Sequence, residues 1–213
     1  MGARDELAVV RREVNACFAC RDRSGFHDLY FVHRFGNVYR DSQDILLLGE
    51  RPGIASKKVG ESVDDERYEE LKSQRDWGAF IEELGLDWTR VYNTNLVKCA
   101  GWEEVNGRKR DRKSRSEEIE NCMGFLNKQL QIMGNLKVVI ACGEPPVCRF
   151  VRRRINFFRD TGTIEDSGRY KVIICPNPTG TFYKVNKIKH QFIPRVRAAL
   201  DELVRARFIE PFG

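Results

Sequence analysis

No stretch of this chain approaches the ~18 continuous apolar residues of a membrane-crossing helix, so no such span is expected. The opening MGARDELAVVRREV is charged and helical in pattern, so it is expected to be a helix rather than a secretory leader. There is no internal repeat and no low-complexity linker, which leaves a single domain over residues 1–213. Histidine is scarce, with three residues, and for His27 and His33 surface or packing roles suffice. The composition is otherwise that of a globular protein, with 41% hydrophobic residues available for a core. The net charge of +6 favours an anionic partner such as nucleic acid, though surface charge also serves solubility. Seven cysteines without a leader point to a reducing cytosol, where paired spacings suit metal or cluster ligands better than disulfides.

The most informative stretch is residues 44–60, DILLLGERPGIASKKVG. ILLL is a short apolar run between turn residues and reads as a strand buried on both faces. It ends in Gly49-Glu50-Arg51-Pro52-Gly53, a tight loop at a strand's carboxyl end. Open α/β sheets bind their ligands at that edge. A second strand is expected over residues 90–99, ending at Cys99 and carrying Asn93 and Asn95. A buried amide is costly unless hydrogen-bonded, so Asn95 is either a satisfied structural group or a ligand reader. A third strand is LKVVIACG at 136–143. A fourth, KVIIC at 171–175, runs into the loop Pro176-Asn177-Pro178-Thr179-Gly180.

Helices are expected over 4–15, 66–84 with Gly85 as its stop, 116 onward with Ser116 as N-cap, and 187–207. Another is expected from Pro145-Pro146, carrying Arg149, Arg152, Arg153 and Arg154. Residues 101–115, GWEEVNGRKRDRKSR, read as a basic loop, either a solvated insertion or a phosphate-contacting flap. Strands alternating with helices give a three-layer α/β/α sandwich around a four-stranded, mostly parallel sheet. In that fold the Gly49 loop, Asn95 and the Asn177 loop converge on one edge.

Taken in order, these motifs resemble the uracil-DNA glycosylase superfamily, most closely its iron–sulfur family 4 branch. The resemblance rests on Cys17-Phe18-Ala19-Cys20, the GERPG loop, Thr94-Asn95-Leu96-Val97-Lys98-Cys99, Glu117-Glu118-Ile119-Glu120-Asn121-Cys122, and VVIACG. It covers most of the chain from Cys17 to the last helix. The chain also departs from family 4. Its Asn177-Pro178-Thr179-Gly180 loop looks like that of the mismatch-specific uracil/thymine branch rather than an HPS-type loop. Val63 stands where an aromatic that stacks the base is usual, and Ser56 where an acid is frequent. Cys99 and Cys122 are farther apart than usual because of the basic 101–115 segment.

What the resemblance implies is a monofunctional glycosylase of base-excision repair that hydrolyses the N-glycosidic bond of a flipped uracil in DNA. It implies a [4Fe–4S] cluster on Cys17, Cys20, Cys99 and Cys122, four thiolates being the usual complement, with zinc as the alternative metal. Cys142, Cys148 and Cys175 are left as small apolar residues in or beside core elements. Glu50 falls on the sugar side of the bond and Asn177 on the base side. Gly49, Arg51, Gly53, Val63 and Asn95 fall around the base, with Asn95 reading its edge. Lys184, Lys187, Lys189, Arg110 and Arg112 are expected on the DNA backbone, interleaved with Phe182 and Tyr183 as a wedge. The expected partner is DNA bearing a damaged or deaminated base, bound by a monomer in the prokaryotic cytoplasm at the nucleoid. Two alternatives remain at this point. One is shifted specificity toward mismatched thymine or a deaminated purine such as hypoxanthine. The other is a DNA binder that does not hydrolyse, or that links covalently.

Overall fold

The structure is a computed structural model, and it describes residues 2–20, 41–53, 72–178 and 186–212. The elements run α1 (Ala3–Ala16), β1 (Ile45–Gly49), α2 (Lys72–Glu83), β2 (Val91–Asn95), β3 (Trp102–Val105), β4 (Arg108–Asp111) and α3 (Ser116–Ile132). Then come β5 (Val138–Cys142), α4 (Glu144–Cys148), α5 (Phe157–Asp160), β6 (Ile164–Asp166), β7 (Lys171–Cys175) and α6 (Asn186–Arg205).

Five strands form the central sheet in the order β2-β1-β5-β7-β6. β1 pairs in parallel with β2 and β5, and β5 with β7, while β6 runs antiparallel at the edge. The α/β class and the mostly parallel sheet are as the apolar runs implied, with five strands rather than four. The extra strand, β6, is three residues long and half-exposed, too short and too polar to leave an apolar run in the sequence.

Alternation within each strand explains why the runs are continuous. Ile45 and Leu47, Val138 and Ile140, and Ile173 and Cys175 face one core, which α2 covers with Trp77, Phe80, Ile81 and Leu84 and α6 covers with Phe192, Val196 and Leu200. Leu46 and Leu48, Val139 and Ala141, and Val172 and Ile174 face the other, closed by Leu7 of α1 and by Leu126, Leu130 and Met133. A sheet covered on both faces needs apolar residues at every position. Cys142 and Cys175 are fully buried in this packing, whereas Cys148 is exposed.

Local chemistry sets the boundaries. α2 ends with Gly85 at φ +66°, its N–H on the Glu82 carbonyl and that of Leu86 on the Ile81 carbonyl, the double bond of a Schellman stop. α3 begins one residue earlier than expected: Arg115 is the N-cap, and its N–H donates to the Glu118 carboxylate at 2.8 Å.

Two expectations are corrected. The helix from Pro145 stops at Cys148. The chain then runs irregularly until Asn156 caps the short α5, accepting from the Phe158 N–H at 3.0 Å, so the arginine cluster is not helical. Residues 101–115 are not a loop but hold a β-hairpin. Asn106 and Gly107 take φ values of 53° and 71°, the left-handed pair of a two-residue type I′ turn. In the ladder's register Glu103 pairs with Arg110, an acid opposite a base.

Candidate active site

The parallel strands β1, β2 and β7 end on the same edge of the sheet, and the loops beyond them shape a cavity of about 260 Å³. Glu50, Gly53, Trp77, Asn95, Asp111 and Asn177 line it. Three sequence-predicted residues on three separate elements, Glu50, Asn95 and Asn177, therefore meet at one carboxyl edge. A larger groove of about 660 Å³ lies between residues 149–153 and 165–170. It carries arginines but no set of amides and acids converging from strand ends, so chemistry rather than volume picks out the smaller cavity.

The first glycine of the loop is dictated by Asn95. A Cβ on Gly49 would lie 2.5 Å from Asn95 Oδ1 and 3.2 Å from Trp77 Cζ2. Asn95 itself is 1% exposed. Its backbone is pinned by a buried lysine: Lys98 Nζ donates to the Asn95 carbonyl at 2.6 Å, to Thr94 Oγ1 at 2.8 Å and to Gln129 Oε1 at 2.7 Å. Beyond β2 the chain leaves the sheet but stays tied to the loop, with Leu96 N–H on the Gly49 carbonyl and Val97 N–H on the Glu50 carbonyl, both at 2.9 Å. Glu50 Oε1 accepts the Ser114 N–H at 2.6 Å.

Arg51 and Arg112, expected at the base and on the DNA backbone, also line this cavity. The Arg51 guanidinium goes to Glu118, at 3.0 and 3.3 Å, and to the Cys99 carbonyl, at 2.9 Å. Arg112 is 9% exposed and grips the same carboxylate at 2.8 and 2.7 Å. Both arginines turn inward because a buried carboxylate demands cationic partners. Arg110 remains exposed on the hairpin. Gly53 stands against Asp111, whose carboxylate lies 3.4 Å from where its Cβ would be. Val63 and Lys184 lie outside the described residues, as do Ser56, Phe182 and Tyr183; Lys187 and Lys189 belong to α6, with only their backbone described.

Glu118, Asp111 and Trp77 are the site residues that sequence reasoning missed. Glu118 did leave a signal, an acid at the third helical position, where it reaches back to the N-cap N–H. Burial pushes its carboxyl up, but hydrogen bonds from Arg112, the Arg115 N–H and Arg51 outweigh this and bring it from 4.5 down to about 2. A lowered folded-state value means the ionised carboxylate stabilises the fold above pH 4.5. That contribution, roughly 3 kcal/mol, fades as pH falls toward 2. Acid titration monitored by circular dichroism should show this loss of stability in the parent protein. Glu118→Gln should remove that part of the pH dependence.

The four candidate ligand cysteines lie on neighbouring segments. Cys99 and Cys122 are buried, and Cys122 Sγ accepts the Lys98 N–H at 3.4 Å. Asn121, next to Cys122, reaches Cys20 Sγ at 3.7 Å, while Cys17 and Cys20 are half-exposed. Four thiols are the donor type that a thiolate-bound metal takes. Among the described residues, however, no three His, Cys, Asp or Glu side chains are grouped so as to hold a metal ion. No helix among them is long and apolar enough to cross a membrane.

Two comparisons bear on the identity of the chain. A family model described as the uracil DNA glycosylase superfamily matches residues 36–201, more than three quarters of the chain. No curated protein matches it.

Proposed function

The chain belongs to the uracil DNA glycosylase superfamily, and on that premise we propose that it is a monofunctional glycosylase that removes uracil from DNA. The family brings the coarse activity, DNA glycosylase hydrolysis on a DNA substrate; uracil as the base is our reading. The observation that carries it is the meeting of Glu50, Asn95 and Asn177 around one cavity at the carboxyl edge of the sheet.

In this reading the flipped base enters the cavity and Asn95 reads its edge, donating to O4 and accepting from N3–H, which rejects cytosine. Fixing the Asn95 carbonyl through Lys98 limits how far that amide can wander. Cleavage develops positive charge on the sugar and negative charge on the base. Glu50 answers the first, and Asn177 with the backbone N–H groups of the 49–53 loop answers the second. A neutral amide is a weaker anion stabiliser than imidazole but remains a donor, so the Asn177 loop slows the reaction rather than stopping it. Asn177 also favours a second reading, in which mismatched thymine or hypoxanthine is accepted. DNA strands carrying uracil, hypoxanthine or a G·T mismatch, incubated with the protein and then treated with alkali, separate these readings on a gel. Strand breaks at uracil alone support the first and breaks at the others the second. Intact strands throughout overturn hydrolysis.

Cys17, Cys20, Cys99 and Cys122 would hold a [4Fe–4S] cluster in this proposal. When bound, the group would tie the segment after α1 to α3, a structural task, and no catalytic step depends on it. Anaerobically purified protein should be brown and contain iron. A colourless, folded protein containing zinc would overturn the cluster. The protein is proposed to act as a single-domain monomer in the prokaryotic cytoplasm, at the nucleoid.

A further inference from the structure

We propose that Arg51 is a positioning residue for Glu50. With Glu118 and Arg112 it clamps the 49–53 loop to the start of α3 and the end of the hairpin, so that Glu50 reaches the sugar already aimed. The inference rests on the glycosylase reading for its consequence but on geometry for its content.

Three consecutive loop residues are each held by the two segments around them. The Gly49 carbonyl is fixed by Leu96. The Glu50 carbonyl is fixed by Val97 and its carboxylate by Ser114. The Arg51 guanidinium spans Glu118 and the Cys99 carbonyl with its side chain 6% exposed. Glu118 in turn is shared with Arg112 at the foot of the hairpin and with the Arg115 N–H, one residue past Ser114. The group that donates to Glu50, Ser114, and the group that accepts from Arg51, Glu118, are thus four residues apart on one stretch of chain. If Arg51 lets go, the loop can shift relative to Ser114, and the Glu50 carboxylate shifts with it.

Stability alone does not account for this arrangement. Desolvating two guanidiniums and a carboxylate is expensive, and well-packed apolar residues of similar volume commonly do as well or better. A bidentate guanidinium does add fixed direction, which an apolar contact cannot. The chain also reserves the space: a Cβ on Gly101 would lie 2.2 Å from Arg51 Nη2, so any side chain there would expel the guanidinium.

Arg51→Met, Arg51→Lys and Gly101→Ala should each slow single-turnover excision, by up to about 10²-fold for an ångström of misplacement, with DNA affinity unchanged. Lysine keeps the charge but loses the two-pronged geometry, so it should not rescue. In a Glu50→Gln background, Arg51→Met should have no further effect on rate, because its contribution passes through Glu50. Hydrogen exchange at the Ser114 amide should quicken in Arg51→Met. Multiplying effects of the two substitutions, recovery with lysine, or a loss confined to DNA affinity would each overturn the clamp. If the parent protein excises no base at all, the glycosylase reading fails. Exchange at Ser114 then decides the clamp separately, and unchanged protection in Arg51→Met overturns it.

Discussion

Glu118→Ala is expected to destabilise the protein by about 3–5 kcal/mol, the usual cost of removing one partner from a buried ion pair. The size follows from what is left behind: Arg51 and Arg112, both nearly excluded from solvent, lose the carboxylate that four hydrogen bonds direct them to. The Arg115 N–H loses its acceptor as well, which removes a helix cap of its own worth about 1 kcal/mol. For a chain of this length the shift in Tm is on the order of 10 °C. Thermal unfolding of parent, Glu118→Ala and the Glu118→Ala/Arg51→Met/Arg112→Leu triple variant checks it. The triple variant should recover much of the loss, since it leaves no buried cation uncompensated. A single variant as stable as the parent would mean that the carboxylate is not what holds the two guanidiniums.

The second large effect concerns the reaction. Asn177→Ala and Glu50→Ala are each expected to lower the single-turnover rate on a uracil-containing duplex by about 10²–10³, the cost of losing one preorganised group aimed at developing charge. Neither should weaken DNA binding much, because both act where charge appears in the transition state. Asn95→Asp should behave differently. A carboxylate repels O4 and accepts from an exocyclic amine, so uracil excision falls while cytosine gains access. Asn177→His should raise the rate on uracil if the loop aims the imidazole at the departing base. Single-turnover excision by all four variants is the informative measurement. If Glu50→Ala and Asn177→Ala both cleave like the parent, the chemistry lies elsewhere in the molecule.

The strands were the most legible part of the chain because burial on both faces forces long apolar runs. Where burial was one-sided or absent, the sequence spoke less clearly. β6 is short and half-exposed and left no run. The hairpin did leave a signal, Asn106-Gly107 between two four-residue arms, but its charged arms masked the alternation that marks a strand. The arginine-rich 149–154 stretch was expected to continue the helix that Pro145-Pro146 starts, yet that helix ends at Cys148, and Arg153 bridges Asp160 and Glu165 at 2.9 and 2.7 Å.

By itself the sequence determined the α/β class and the sheet edge where Glu50, Asn95 and Asn177 line one cavity. Each of these follows from local information: an apolar run, a turn-rich loop after it, and the rule that parallel strands end on one side. Only the tertiary structure decided what the arginines do. Arg51 read as a residue beside the base and Arg112 as a cation for the DNA backbone, because charge and loop position are legible in a sequence while burial is not. Their partner Glu118 is 67 residues from one and six from the other. Nothing in the local pattern ties a loop at residue 51 to the first turn of a helix at 118. The fold brings them together because β1 lies beside β2 and the hairpin folds back between β2 and α3. Once water is excluded there, a carboxylate can stay ionised only if cations come to it.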